Sequence, residues 1–119
     1  MSYELSVSHD KDGSVEIRLA REVAAFFGNK EIMLCIGPGH TLRLYREDAW
    51  LRWLEKLREL SEKQIKMFRP LITSMEVITA SENGVIPIGP RLAAYAGMTG
   101  NKVRLTVDWV NATAELTAI

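Results

Sequence analysis

The side chains of this 119-residue sequence best suited to chemistry are two histidines, one cysteine and scattered carboxylates. A catalytic thiol needs an imidazole close enough to take its proton. Cys35 lies in the apolar run Ile32–Ile36, and nothing in the sequence brings His9 or His40 to it. We therefore expect Cys35 to be a small buried residue on a strand.

Metal and phosphate sites have characteristic spacings, and neither spacing occurs here. Zinc sites need clustered Cys and His ligands, whereas His9 is expected in a loop and His40 in a separate turn. Gly37 and Gly39 are not followed by the Lys-Ser/Thr pair of a phosphate-binding loop. The sequence therefore predicts no metal site, no cofactor and no enzymatic activity. A pocket that united an imidazole with a perturbed carboxylate would argue for an enzyme instead.

Lysine and arginine side chains can bind phosphate groups, and here they are unevenly distributed. The formal net charge of the whole chain is zero. Residues 1–40 carry a net charge of −2, residues 41–74 carry +3 and residues 75–119 carry −1. Because non-specific nucleic-acid binding depends on phosphate neutralisation, the overall composition does not indicate a strongly basic nucleic-acid-binding domain.

Composition also bears on the class of protein. The hydrophobic fraction of 47% and the charged fraction of 25% are those of an ordinary globular protein. No apolar run approaches the roughly 20 residues that a membrane-spanning helix needs. The first residues lack the basic and apolar regions of a signal peptide. We therefore expect a cytoplasmic protein without a membrane partner.

The middle of the chain predicts helix most clearly. Apolar residues recur there at spacings of three and four, and so share one helix face: Trp50, Trp53, Leu54, Leu57 and Leu60. Ser61 followed by Gln64 fits a capping box, so a second helix is expected to begin there. We expect Ile65 and Phe68 on this second helix to be exposed and to make subunit contacts, together with strand edges.

The two flanks of these helices resemble each other. A shift of 71 positions superimposes glycines and apolar residues: Gly13 on Gly84, Val15 on Ile86, Ile17 on Ile88, Ile32 on Val103, Leu34 on Leu105 and Ile36 on Val107. Each flank then has the order turn, strand, short helix, strand, turn, strand, which indicates an internal repeat. The two turn glycines stand where a tight turn needs a positive φ.

A flank of about 40 residues with three short strands has too little core to fold alone. We therefore expect the two flanks to form one β structure about an approximate twofold axis. The predicted fold class is α+β, mostly β. Its parts are a first unit at residues 1–45, a central helical segment at residues 46–74 and a second unit at residues 75–119, all in one compact domain.

Several stretches resemble the MraZ family of bacterial regulators. The resemblance is carried by Leu42–Tyr45 followed by Trp50, and by Gly84–Leu92 followed by Tyr95–Thr99. It implies two tandem swapped-hairpin units related to AbrB and SpoVT. It also implies a homo-oligomer assembled as a ring, and binding to DNA upstream of division and cell-wall genes.

The sequence departs from the family at the residues credited with DNA contact. Family members carry an Asp-x-x-Gly-Arg motif in each unit, and its arginines contact DNA. Asp10 and Gly13 match the first motif, but Ser14 occupies the arginine position. In the second motif Gly84 matches and Val85 occupies the arginine position. Both motif arginines are therefore replaced.

Other basic residues lie close to these turns. We expect DNA contacts from Lys11, Arg18, Arg21 and Arg91, although a solvated surface position also suits each of them alone. The leading prediction is an oligomeric, nucleoid-associated, MraZ-like transcriptional regulator. The alternative is a divergent oligomeric scaffold, or a protein-interaction module, that has lost DNA binding.

Overall fold

The computed structural model describes residues 1–28 and 30–119. These residues form eight strands in one antiparallel sheet, together with four α-helices, as expected of the α+β class. The strands are β1 (Ser2–His9), β2 (Val15–Arg18), β3 (Ile32–Ile36), β4 (Leu42–Arg46), β5 (Glu76–Ile78), β6 (Val85–Ile88), β7 (Lys102–Asp108) and β8 (Thr113–Ala118). The helices are α1 (Arg21–Phe27), α2 (Glu47–Leu57), α3 (Glu62–Ser74) and α4 (Pro90–Tyr95).

The sheet curls until its two end strands approach each other. Its strand order is β5-β3-β4-β8-β7-β1-β2-β6. The carboxylate of Glu76 on β5 lies beside Gly89, which follows β6: a Cβ on Gly89 would stand 3.0 Å from Oε1 of Glu76. The sheet is therefore nearly closed.

The interior of this curled sheet is apolar because strand residues alternate between its two sides. Every second residue of β2 and of β7 is buried, and the residues between them are exposed. Phe27 of α1 and Leu92 of α4 join the same buried cluster. The two short helices thus fill space that the strands alone would leave open.

Four strand pairs join residues 1–45 to residues 75–119, and two of them, β2–β6 and β4–β8, have a reciprocal register. The facing residues are Val15 with Ile88 and Ile17 with Ile86 in the β2–β6 pair, and Leu42 with Leu116 and Leu44 with Ala114 in the β4–β8 pair. Positions 71 apart exchange places across the first pair, and positions 72 apart across the second.

The open side of β6 cannot form a full hydrogen-bond ladder. The N–H of Leu19 donates to the carbonyl of Gly84 at 2.8 Å. Because hydrogen-bonded and non-bonded pairs alternate along antiparallel strands, the backbone of Pro87, opposite Glu16, points away from β2 toward the open side. Proline has no N–H to offer there, so the sheet does not continue from β6 to β5.

The other outward-facing residue of β6 is already hydrogen-bonded. The N–H of Val85 donates to Oγ of Ser81 at 3.1 Å, and the carbonyl of Val85 accepts the N–H of Ser81 at 2.9 Å. The expectation that strand edges make subunit contacts therefore has no support at β6.

A second, smaller apolar cluster lies beneath α2. Its buried members come from two strands, α2 and the turn before β8: Met33, Cys35, Tyr45, Ala49, Trp50 and Ala112. Trp53 stacks on Trp50 with ring centroids 5.0 Å apart, so both tryptophans face this cluster as expected. The predicted capping box at the start of α3 is confirmed, since Ser61 and Gln64 exchange both hydrogen bonds.

One ion pair ties β4 to the start of α2. Nε and Nη2 of Arg46 donate to the two carboxylate oxygens of Asp48 at 2.6 and 2.7 Å. This guanidinium holds the pKa of Asp48 well below its usual range. Arg46 also lies over the ring of Phe26, 4.4 Å from its centroid, so the same side chain connects α1 to α2.

Three expectations about individual residues are wrong. His9 ends an eight-residue strand, β1, rather than lying in a loop. Leu60 lies beyond the end of α2, in the turn before α3. Ile65 and Phe68 are partly buried, with Phe68 packed edge-on against Trp53 at 5.8 Å. Phe68 lies on the side of α3 roughly opposite to Lys63 and Lys66, whereas Ile65 lies one turn before Arg69, near the edge of the charged side.

The turn glycines generate a first prediction. Gly84 has φ +75°, and a Cβ there would stand 3.1 Å from Cβ of Ala24; Gly97 has φ +65° with nothing within 4 Å. The positive φ alone costs alanine about 1–2 kcal/mol. Gly84→Ala should therefore lower the free energy of unfolding by more than Gly97→Ala does, as measured by urea denaturation. Equal losses would show that α1 moves freely away from the turn.

Candidate nucleic-acid interface

The turns that carry the two motif positions have the same backbone hydrogen bonds. In the first turn, the N–H of Asp10 donates to the carbonyl of Ser14 at 2.9 Å, and the N–H of Gly13 donates to the carbonyl of Asp10 at 3.2 Å. In the second turn, residues 81–84, the same two bonds recur 71 positions later at 2.9 Å each. The φ angles of the two glycines are +90° and +75°. Both turns thus need glycine for the same reason.

Each turn rests on the short helix of the other half of the chain. A Cβ on Gly84 would lie 3.1 Å from Ala24 of α1, and the carbonyl of Gly84 accepts the N–H of Leu19 at 2.8 Å. A Cβ on Gly13 would lie 3.4 Å from Pro90 at the start of α4. The two turns are therefore held in place by contacts between distant parts of the sequence.

Of the side chains at the two motif-arginine positions, one is already hydrogen-bonded and the other is apolar and partly buried. Ser14 donates from Oγ and from its N–H to Oδ1 of Asp12, at 2.6 and 2.9 Å. These bonds hold the pKa of Asp12 below its usual range, so the carboxylate is charged at neutral pH. Val85 is partly buried and apolar. Neither position offers a hydrogen-bond donor free to contact a phosphate.

Two arginines lie next to the second turn. Arg18 ends β2 and Arg21 begins α1, and both side chains are exposed. They line one shallow cleft together with the turn residues Ser81–Gly84. Lys11 is exposed in the first turn. The structure thus brings Arg18 and Arg21 to the second motif turn, whereas position in the sequence suggested that Arg18 flanks the first turn.

Arg91 is placed differently from the other three basic residues. Its Nη2 donates to the carbonyl of Ser74 at 2.8 Å and lies 3.7 Å from Oε1 of Glu76. The guanidinium therefore ties the start of α4 to the end of α3 and to β5. This contact is structural, and it reduces the freedom of Arg91 to meet a phosphate.

We use the term turn surface for the exposed charged residues on and beside the two turns: Lys11, Arg18, Arg21, Asp10, Asp12, Glu16 and Glu82. Three of these residues are cations and four are carboxylates. The turn surface therefore carries a net charge of −1 at neutral pH. It can hold a phosphate locally, beside Arg18 and Arg21, but it does not attract a polyanion as a whole.

The residues considered for catalysis occupy separate places. Nε2 of His9 lies 2.6 Å from the carbonyl of Gly100, whereas His40 packs against Tyr95 with ring centroids 5.0 Å apart. Cys35 is buried, as expected, and burial raises the pKa of its thiol to about 12. Such a thiol is protonated at neutral pH and is a poor nucleophile.

An open cleft of about 550 Å³ lies between α2 and the outer side of the sheet, and no pattern in the sequence predicts it. Arg43, Tyr45, Trp53, Lys56 and Glu115 are among its lining residues. Nε of Arg43 lies 3.9 Å from Oε2 of Glu115, directly across the β4–β8 pair. Only the register of that pair brings these residues together, and no local pattern in the sequence specifies it.

The bonds between Ser14 and Asp12 give a second prediction. Ser14→Ala removes the Oγ donor, which is the main cause of the lowered pKa of Asp12. The pKa of Asp12 should rise, and a carboxyl carbon NMR titration would measure the change. Ser6→Ala, an exposed serine on β1, is the control and should leave it unchanged. An unaltered pKa in Ser14→Ala would mean that Oγ does not bond to Asp12 in solution.

In the part of the chain that the structure describes, no group of three or more His, Cys, Asp and Glu side chains is placed to hold a metal ion. None of the described helices is both long and apolar enough to cross a membrane. No model of a known protein family matches the chain, and a search of curated proteins finds no match either.

Proposed function

We propose that this chain is a divergent MraZ-like transcriptional regulator that binds DNA as a homo-oligomer. In this proposal residues 1–45 and 75–119 are tandem swapped-hairpin units, and residues 46–74 form the helical connector between them. The protein works in the cytoplasm, on the nucleoid.

The tandem-unit part of the proposal is supported by the strand register. Positions 71 or 72 apart exchange partners in the β2–β6 and β4–β8 pairs, as expected when two copies of one unit pack about a local dyad. The matching turns add to this, since Gly13 approaches α4 and Gly84 approaches α1. Exchange of contacts between halves is what swapped hairpins imply.

One observation carries the DNA-binding part of the proposal. Arg18 and Arg21 line one shallow cleft with the second motif turn, and Arg18 lies opposite Val85, the position that a motif arginine would occupy, in the β2–β6 register. Guanidinium groups bind phosphate oxygens in bidentate geometry. Two arginines beside a hydrogen-bonded glycine turn form a small site for a DNA backbone. In an oligomer this site repeats with every subunit, and repeated weak contacts can raise overall affinity by about 10² to 10⁴.

The test is DNA affinity as a function of salt. Arg18→Ser combined with Arg21→Ser should weaken binding to a duplex from upstream of the protein's own gene. It should also reduce the slope of log affinity against log salt by about 1–2, because each lost phosphate contact contributes about 0.9. Fluorescence anisotropy between 25 and 200 mM KCl measures both quantities.

Lys30→Ser combined with Lys102→Ser is the matched control, because it removes the same charge from exposed residues elsewhere. Equal losses in the two double variants would show that only net charge matters. If the unaltered protein shows no binding at the lowest salt concentration, the regulator proposal fails.

A second candidate function is an oligomeric scaffold that has lost DNA binding. The bond from Ser14 to Asp12 and the net charge of the turn surface favour it. Ser14→Arg combined with Val85→Arg should then create DNA affinity that the unaltered protein lacks. Unaltered protein that already binds as tightly as the double variant would contradict the scaffold function.

A further inference from the structure

The exposed side of α3 carries a row of positive charge. We call Lys63, Lys66 and Arg69 the cation row. All three are exposed, and they follow each other at intervals of three residues, about 4.5 Å along the helix axis. No Asp or Glu occurs between Lys63 and Met75. The ion pairs found among the described residues do not include any member of the row.

The opposite side of α3 explains why the cation row faces solvent. Phe68 packs against Trp53, and the buried Ser74 accepts the N–H of Ile36 at 3.1 Å. The helix is thus fixed to the body of the molecule by one side and by its C-terminal end. The row is held on a rigid element, as a binding surface requires.

The cation row and the turn surface differ in net charge. The turn surface has three cations and four carboxylates, whereas α3 has three cations and one carboxylate, Glu62. Residues 41–74, which comprise β4 and both central helices, carry +3, and residues 1–40 and 75–119 each carry a net negative charge. Attraction of a nucleic-acid backbone depends on such local excess of positive charge. By this criterion α3 fits a polyanion better than the turns do.

We infer that the cation row on α3 is a phosphate-contact surface for duplex DNA. This inference rests on the proposed function and extends it to a second surface. The row supplies sequence-independent affinity that the turns, without their arginines, do not supply. A membrane surface fits less well, because an interfacial helix inserts apolar side chains and Met67 is the one large apolar side chain of α3 that is mostly exposed, at 77%.

The experiment compares three triple variants by fluorescence anisotropy with a mixed-sequence duplex of about 30 base pairs. Lys63→Gln, Lys66→Gln and Arg69→Gln together should weaken binding at least tenfold at 50 mM KCl. They should also lower the salt slope by about 2–3.

The swap Lys63→Arg, Lys66→Arg and Arg69→Lys should bind as the unaltered protein does. The control, Lys30→Gln, Lys102→Gln and Arg104→Gln, removes the same charge elsewhere and should stay within threefold.

Each other outcome overturns the inference. If the glutamine variant of the row binds like the control, α3 makes no phosphate contact. If this glutamine variant binds like the control and also has a different mass by light scattering from the unaltered protein, the row joins subunits instead of binding DNA. If Arg18→Ser with Arg21→Ser abolishes binding while the row variant does not, the regulator function stands and the α3 surface fails. If the unaltered protein binds no duplex, both proposals fail together. Circular dichroism of every variant verifies that it is folded.

Discussion

The pairing of β2 with β6 is the constraint on which the rest of the structure depends. It joins residues 15–18 to residues 85–88, and the facing side chains of Val15, Ile17, Ile86 and Ile88 are almost completely buried. A slip of one residue in this register would turn those side chains toward solvent. Because each turn directly precedes one of these strands, the same register fixes where the turn meets the short helix of the other half.

Much of this arrangement can be predicted from the sequence, because it depends on local patterns. Alternating apolar residues define β2 and β6, and Ser61 with Gln64 define the start of α3. Strand β1 has the same alternation, with Tyr3, Leu5 and Val7 on the apolar side, so the local pattern favours a strand there and the expectation of a loop at His9 is wrong. The contacts of Arg91 and the cleft lined by Arg43 and Glu115 could not be predicted, since they depend on which distant strands pair. Local sequence carries no information about that choice.

Charge is arranged differently from what the motif positions alone suggest. At the first turn, the hydrogen bonds from Ser14 hold the pKa of the Asp12 carboxyl below its usual range, so a negative charge lies beside this turn at neutral pH. The surplus positive charge lies instead on the helical connector, which occurs only once in the chain. The molecule therefore has its positive excess in one stretch of the chain, residues 41–74, and not in the two flanks. Any polyanion that approaches it experiences a directional field rather than a symmetric one.

The backbone of Pro87 affects how copies of this chain can come together. An exposed strand with free N–H and carbonyl groups invites growth by strand addition, which leads to swapped dimers and fibrils. On β6, Pro87 has no amide hydrogen, and the outward N–H and carbonyl of Val85 are already hydrogen-bonded to Ser81. Strand addition is therefore blocked at β6. Any contact between copies of this chain at β6 would therefore have to be made by side chains, because the backbone there cannot extend the sheet.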